Sequence, residues 1–289
     1  MVKGFHSNWT RPFFTLNKNK EYFIEDFEIL TTILSALKWR EFNGSIKMIT
    51  DIQGAEYYKK LGIEEIWDLG IDTALENIPQ SINPNIFWAA GKIYAMNYEK
   101  TPFAMIDTDF IVWSSVENLF KNKELCTIHK EDLNSVYPGK ESFIMKEGYE
   151  FDKEWDWEER PCNTAFTYIA NEEFKNYYTT SSIEFMKNLK EGNDRIINMV
   201  FAEQRLIAMC SKKMNIKSEE IISLNTLFKN NQKLFTHIWG YKDVMKKDNK
   251  KRTEFCVRCI KRIIKDYPDF EDKLMNIKDL SKYISLLKD

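Results

Sequence analysis

A chain of 289 residues lies near the upper size of a single hydrophobic core, about 250–300 residues, so one domain with a few appended elements is expected. Hydrophobic residues make up 43% and charged residues 30%, a globular composition and not that of a disordered chain. The net charge of −2 leaves no global basic field for nucleic acid, and no apolar run reaches the roughly 18 residues of a membrane helix.

The opening Met1-Val-Lys-Gly-Phe-His-Ser-Asn8 turns polar before a signal-peptide apolar region forms. The expected location is therefore cytoplasmic, unless an anchor lies outside these residues. Val2–His6 reads as a first strand. Glu21–Trp39 reads as a helix with Phe23, Phe27, Leu30, Ile33, Leu34 and Leu37 on one face. Ser45–Thr50 is a strand, Ala55–Leu61 a short helix, and Glu65–Leu69 a further strand. Asn85–Tyr98 is a second long helix, ending before Thr101-Pro102 because proline disfavours helix in the residue before it. The alternation predicts α/β winding.

Phe103-Ala-Met-Ile106 is wholly apolar, as a strand buried on both faces should be, and it delivers Asp107-Thr108-Asp109 at its C-terminal end. Ser114-Ser-Val-Glu117 has the form of a capping box, and Leu125–His129 reads as a strand. Residues 130–160 lose periodicity, which marks a functional loop. Asn163–Ile169 is strand-like, Asn171 suits the N-cap of a helix through Lys190, and Arg195–Lys212 is helical. Ile221–Leu224 and Leu234–Ile238 are short strands, and helices fill Thr253–Lys265 and Phe270–Leu287. The five Cys are odd in number and scattered, as reduced thiols are. Cys256 and Cys259 fall on the apolar stripe of a helix, which favours buried thiols over metal chemistry.

Two carboxylates two residues apart, just past a buried strand, converge where open α/β sheets bind ligands. Hard oxygen donors suit Mn²⁺ or Mg²⁺, which bridge phosphate oxygens. On Asp107-Thr108-Asp109 and the α/β residues before it, the chain resembles glycosyltransferases of the GT-A fold, especially the retaining galactosyltransferase and glycogenin-like group. The resemblance implies an α/β, Rossmann-like GT-A domain over residues 1–245, with a C-terminal helical extension at 246–289.

It further implies that His237-Ile-Trp-Gly240-Tyr-Lys242 supplies the third metal ligand, His237, with Gly240 and Lys242 at the diphosphate. Here the lysine stands one residue nearer the glycine than in the group's H-x-x-G-x-x-K. In the same way Asn163 is placed beside the reaction centre, and Glu203 and Gln204 beneath the anomeric carbon. Lys92 and Thr108 fall on the donor side. His6 and Asp51, at or just past predicted strand ends, are expected to touch the base or ribose. Trp155, Asp156 and Trp157 have the composition of an acceptor site, though they equally suit the ordering of their loop.

The activity implied is metal-dependent transfer of a sugar from a nucleotide sugar, a UDP-sugar in the group it resembles, to a glycan or lipid-linked acceptor with retention. A haloacid-dehalogenase-like phosphatase and a catalytically inactive sugar-binding domain are the alternatives. Residues 242–265 hold ten basic residues against three acids, and Cys256, Cys259, Ile260, Ile263 and Ile264 recur at helical spacing, which suggests peripheral contact with an anionic membrane.

Overall fold

The computed structural model describes residues 1–190, 194–229 and 232–287. Its centre is a seven-stranded, mostly parallel sheet flanked by helices. The strands are β1 (Lys3–Asn8), β2 (Ile46–Thr50), β3 (Ile71–Asp72), β4 (Phe103–Ile106), β6 (Leu125–Thr127), β7 (Phe166–Ile169) and β8 (Ser218–Glu220), in the order β3-β2-β1-β4-β7-β6-β8. Only β7 runs against its neighbours β4 and β6. β5 (Phe110–Val112) and β9 (Phe235–His237) make a separate antiparallel ribbon in which Phe110 stands opposite His237.

Every residue of β4 is buried, and its alternation feeds two cores. Ala104 and Ile106 pack into one apolar cluster, Phe103 and Met105 into the other, as side chains on successive residues of a strand must. A strand covered on both faces carries no polar position, which explains the run Phe103-Ala-Met-Ile106.

The helices are α1 (Arg11–Leu16), α2 (Asp26–Phe42), α3 (Ile52–Leu61), α4 (Ala90–Tyr98), α5 (Glu117–Phe120), α6 (Glu172–Asn188), α7 (Arg195–Val200), α8 (Leu206–Lys213), α9 (Leu224–Phe228), α10 (Tyr241–Lys247), α11 (Asn249–Asp266), α12 (Glu271–Asn276) and α13 (Ser281–Ile284). Glu25 and Glu28 close a capping box on α2. This helix packs against β5 on one side and α11 on another, so Thr31, Thr32, Ser35 and Lys38 are buried along with its apolar residues. Asn171 caps α6 by accepting from the Phe174 N–H at 2.9 Å.

Several boundaries differ from the sequence reading. Glu64–Ile66 is a 3₁₀ turn, and the strand arrives only at Ile71, after Gly70 reverses the chain at φ 79°. The second long helix starts at Ala90, not Asn85. Ser114 caps nothing: the Val116 N–H is taken by the Asn43 carboxamide at 2.7 Å, and helix begins at Glu117. β8 precedes its expected place at Ile221, and Ser223 caps α9 instead. The C-terminal stretch from Phe270 is broken into short turns.

The C-terminal helices are locked to α2 by a buried carboxylate. Asp26 receives Arg252 Nε at 2.8 Å, Lys282 Nζ at 2.8 Å and the Tyr283 hydroxyl at 2.6 Å. The apolar stripe of α11, Cys256, Cys259, Ile260 and Ile263, is buried in the same cluster as α2. That corrects the expectation that these apolar residues face a membrane. Cys126, Cys162 and Cys210 are buried free thiols as well. Among the described residues, no helix is long and apolar enough to cross a membrane.

Candidate functional site

At the end of β4 the chain turns at once. The Asp107 N–H bonds to the Ala165 carbonyl at 2.8 Å, and the Phe110 N–H returns to the Asp107 carbonyl at 2.9 Å. This folds Asp107-Thr108-Asp109 over the C-terminal edge of the sheet, into an open pocket of about 330 Å³. The wall is completed by Ser7, Asn8 and Trp9 at and just past the end of β1, Trp88, Ala89, Gly91 and Lys92 around the start of α4, Glu203, and Lys242.

Each side chain has a local reason for its place. A Cβ on Gly91 would lie 2.6 Å from Cβ of Trp9, so only glycine lets the first turn of α4 approach β1. That approach brings Lys92 Nζ to 2.8 Å from both Asp107 Oδ1 and Glu203 Oε1. Glu203 lies on a π-helical turn, Phe201–Arg205, inserted between α7 and α8, a distortion frequent at functional sites. The Thr164 hydroxyl donates to Glu203 at 2.7 Å and fixes it from below. On the far side, Lys242 Nζ lies 2.9 Å from Asp109 Oδ2 and 3.4 Å from Glu28 Oε1, and His237 Nε2 lies 3.7 Å from Asp109 Oδ1.

One ligand atom from each of Asp107, Asp109 and His237 falls within 4.8 Å of the others. Burial pushes the Asp107 carboxyl up to about 7, against the pull of Lys92, with Asp109 and Glu203 adding to the rise. Asp109 is held below the usual carboxylate range despite its burial, chiefly by Lys242 and His237. Burial takes His237 down to about 4, so its imidazole is neutral near pH 7 and a lone pair is free for a ligand bond. Both lysines stay charged in spite of burial because the carboxylates hold them. With all four carboxylates ionised, Asp107, Asp109, Glu203 and Glu28 exceed Lys92 and Lys242 by two negative charges. Two hard oxygens, a neutral imidazole and a charge deficit of this sign fit a divalent cation.

Other residues singled out in the sequence sit elsewhere. His6 is fully buried: Nδ1 accepts from Trp67 Nε1 at 3.1 Å and Nε2 lies 3.0 Å from Ser35 Oγ. Burial lowers its pKa to about 3. Asp51 is the N-cap of α3, taken by Thr10 N–H at 2.8 Å and Gly54 N–H at 3.0 Å. Neither borders the pocket, which corrects their assignment to the base or ribose: alternation turns His6 into the core, and the cap consumes Asp51.

Asn163 faces Glu131 at 3.0 Å, and its neighbour Thr164 makes the contact to Glu203. Gln204 turns away from Glu203 and accepts from the Tyr137 hydroxyl at 2.6 Å. Gly240 is the N-cap of α10, where a Cβ would meet nothing within 4 Å. Trp155 is 6% exposed, with Nε1 donating to the Tyr177 hydroxyl at 3.0 Å. Trp157 stacks on Phe201, its carbonyl held by Arg205. Both indoles thus order the loop from within, which corrects their reading with Asp156 as an open sugar platform; Asp156 lies beside Lys212, at 3.7 Å.

The sequence reading missed Ser7, Asn8, Trp9 and Glu28. Ser7 Oγ, Asn8 Nδ2 and Trp9 Nε1 are buried without a hydrogen-bond partner among the described residues. Three such atoms in a row, at the edge of a pocket, are costly unless something else satisfies them. Their sequence signal was position alone, one to three residues past His6.

Residues 2–277 match a family described as of unknown function (DUF6734). No curated protein matches the sequence. Among solved structures, the chain is similar to the glycosyltransferase GlyE of Streptococcus pneumoniae TIGR4, at 14% identity with a TM-score of 0.33. The likeness covers 70% of this chain and 44% of that one, so the chain spans less than half of that protein's length.

Proposed function

The chain belongs to DUF6734, a family of unknown function, and from its own site residues we propose that it is a metal-dependent glycosyltransferase with a GT-A-type catalytic unit over residues 1–245. The observation that carries the reading is convergence. Lys92, Asp107, Asp109, Glu203 and Lys242 come from separate parts of the chain to one pocket beyond the C-terminal end of β4, with His237 beside Asp109.

Asp107, Asp109 and His237 would hold the cation, Mn²⁺ or Mg²⁺. When bound, that ion supplies a Lewis acid and positive charge for a diphosphate leaving group. Lys92 and Lys242 are point cations at the same wall, each within reach of a phosphate that displaces part of its carboxylate contact. Glu203, fixed by Thr164 and the π turn, is the carboxylate that faces the donor sugar. It stabilises positive charge growing at the anomeric carbon and fits a retaining reaction. Ser7, Asn8 and Trp9 offer one acceptor-capable hydroxyl and two N–H donors to the nucleoside end of the donor. The donor class is a UDP-sugar by resemblance, and the acceptor a glycan or lipid-linked saccharide.

The direct test is turnover of sugar nucleotides by the purified chain with Mn²⁺. Release of nucleoside diphosphate from one donor, abolished by EDTA, is the expected result. Cleavage of simple phosphate esters with no response to any sugar nucleotide would point instead to a phosphatase and end the glycosyltransferase reading.

A further inference from the structure

With the apolar side of α11 committed to the core, its opposite side is defined by charge. Lys250, Lys251, Arg258, Lys261, Arg262 and Lys265 are all exposed, with Glu254 the one acid among them. At 3.6 residues per turn they share about one third of the helix circumference. Lys251 lies 3.6 Å from Asp248, and Arg262 pairs with Asp266. Lys250, Arg258, Lys261 and Lys265 have no ion pair among the described residues, nor have Lys246 and Lys247 at the end of α10, where Asp243 is the nearby exposed acid. In a chain of net charge −2, so strong a local excess leaves the remainder acidic.

Two exposed aromatics lie at the start of α10, one of them against α11. Tyr241, 36% exposed, packs its ring 6.1 Å from that of Phe255, whose helical neighbours are Lys251 and Arg258. Trp239, 57% exposed, stacks almost parallel on the His237 imidazole, with centroids 6.1 Å apart. Indole and phenol rings beside a basic surface are what an interface between water and lipid headgroups favours.

We propose that the outer face of α10 and α11 docks on an anionic membrane surface, cations against headgroups and Trp239 and Tyr241 at the interface. The helix lies on the membrane through charge and does not insert an apolar face, because that face is already buried. Since Trp239 also touches His237, the docked side borders the metal-competent cluster. The docking itself does not depend on the glycosyltransferase reading.

The test is co-sedimentation of the full chain with vesicles of phosphatidylcholine alone or mixed with phosphatidylglycerol. Binding to the mixed vesicles only, lost at high salt as screening shortens the range of the attraction, is expected. The triple variant Arg258→Glu, Lys261→Glu, Lys265→Glu should bind far more weakly, by about fivefold or more for each cation removed. Its circular dichroism, thermal melt and turnover of soluble substrates should stay as in the parent. Trp239→Ala should weaken vesicle binding at unchanged salt dependence. No binding to anionic vesicles at low salt, or equal binding by the charge-reversed variant, overturns the proposal. So does preference for a soluble polyanion, such as single-stranded nucleic acid, over the vesicles at matched salt.

Discussion

Lys92 Nζ lies 2.8 Å from Asp107 Oδ1, so the residue that the metal reading calls a ligand already has a cation on it. The same ammonium holds Glu203 at 2.8 Å. A lysine there is a counter-ion that keeps two acids close enough to share a ligand, and its removal should be felt most when no metal is present.

Lys92→Met should therefore lower the melting temperature in EDTA clearly, since breaking a buried pair leaves an uncompensated charge worth about 3–5 kcal/mol in dry sites and less in this partly open one. Mn²⁺ should restore much of that loss. Melts run with and without Mn²⁺ check this, and an equal deficit in both would mean that Lys92 is only packing.

Asp109→Ala should leave the fold intact and reduce turnover by about 10²–10³ or more, the usual cost of losing one preorganised electrostatic group. His237→Ala should raise the Mn²⁺ concentration needed for half-maximal activity. A metal titration that overlays the parent's would make His237 structural.

Glu203→Gln and Gln204→Ala should separate. The first should lower turnover strongly at nearly unchanged donor affinity, the sign of an interaction made in the transition state. The second should change turnover little, because Gln204 holds the Tyr137 hydroxyl and not the pocket. Steady-state kinetics of both variants decide it, and the opposite order would exchange their roles.

Much of this site was legible in the sequence because its residues break strong local patterns. Asp107 and Asp109 end a wholly apolar strand, Lys92 interrupts an apolar helix, and His237 and Lys242 flank a glycine near a short strand. What was not legible depends on side-chain direction. His6 and Ser7 are adjacent on β1, yet one is sealed in the core and the other borders the pocket. The π turn that carries both Glu203 and Gln204 has no signature in a helical run. Trp155 and Trp157 read as a surface because their neighbours are charged, but they pack against Tyr177 and Phe201. Glu28 was counted with its helix, and only tertiary structure brings Lys242 to it.

The Asp26 anchor predicts a pH dependence. Hydrogen bonds and charge from Arg252, Lys282 and Tyr283 hold its carboxyl below the usual range, against the cost of burial. A depressed folded-state pKa contributes stability above the unfolded value of about 3.9, and that contribution is lost as pH falls through the folded value. Asp26→Asn should thus lower the melting temperature at neutral pH, and the difference from the parent should shrink in acid. A difference that is constant with pH would assign Asp26 a packing role only.

The central claim is that Asp107, Asp109 and His237 form one site for a cation and a nucleoside diphosphate together. The most direct measurement is a thermal melt of the purified chain with Mn²⁺, with a nucleotide sugar, and with both. A ligand that binds only the folded state at a hundredfold excess over Kd stabilises it by about 2.7 kcal/mol. Binding at a shared site is reciprocal, so either order of addition must reach the same end point. Mn²⁺ plus one nucleotide sugar, UDP-sugars first, should raise the melt clearly, either alone much less, and the pair not at all in Asp109→Ala. If no nucleoside diphosphate or its sugar shifts the melt with any divalent metal, the proposed site does not exist.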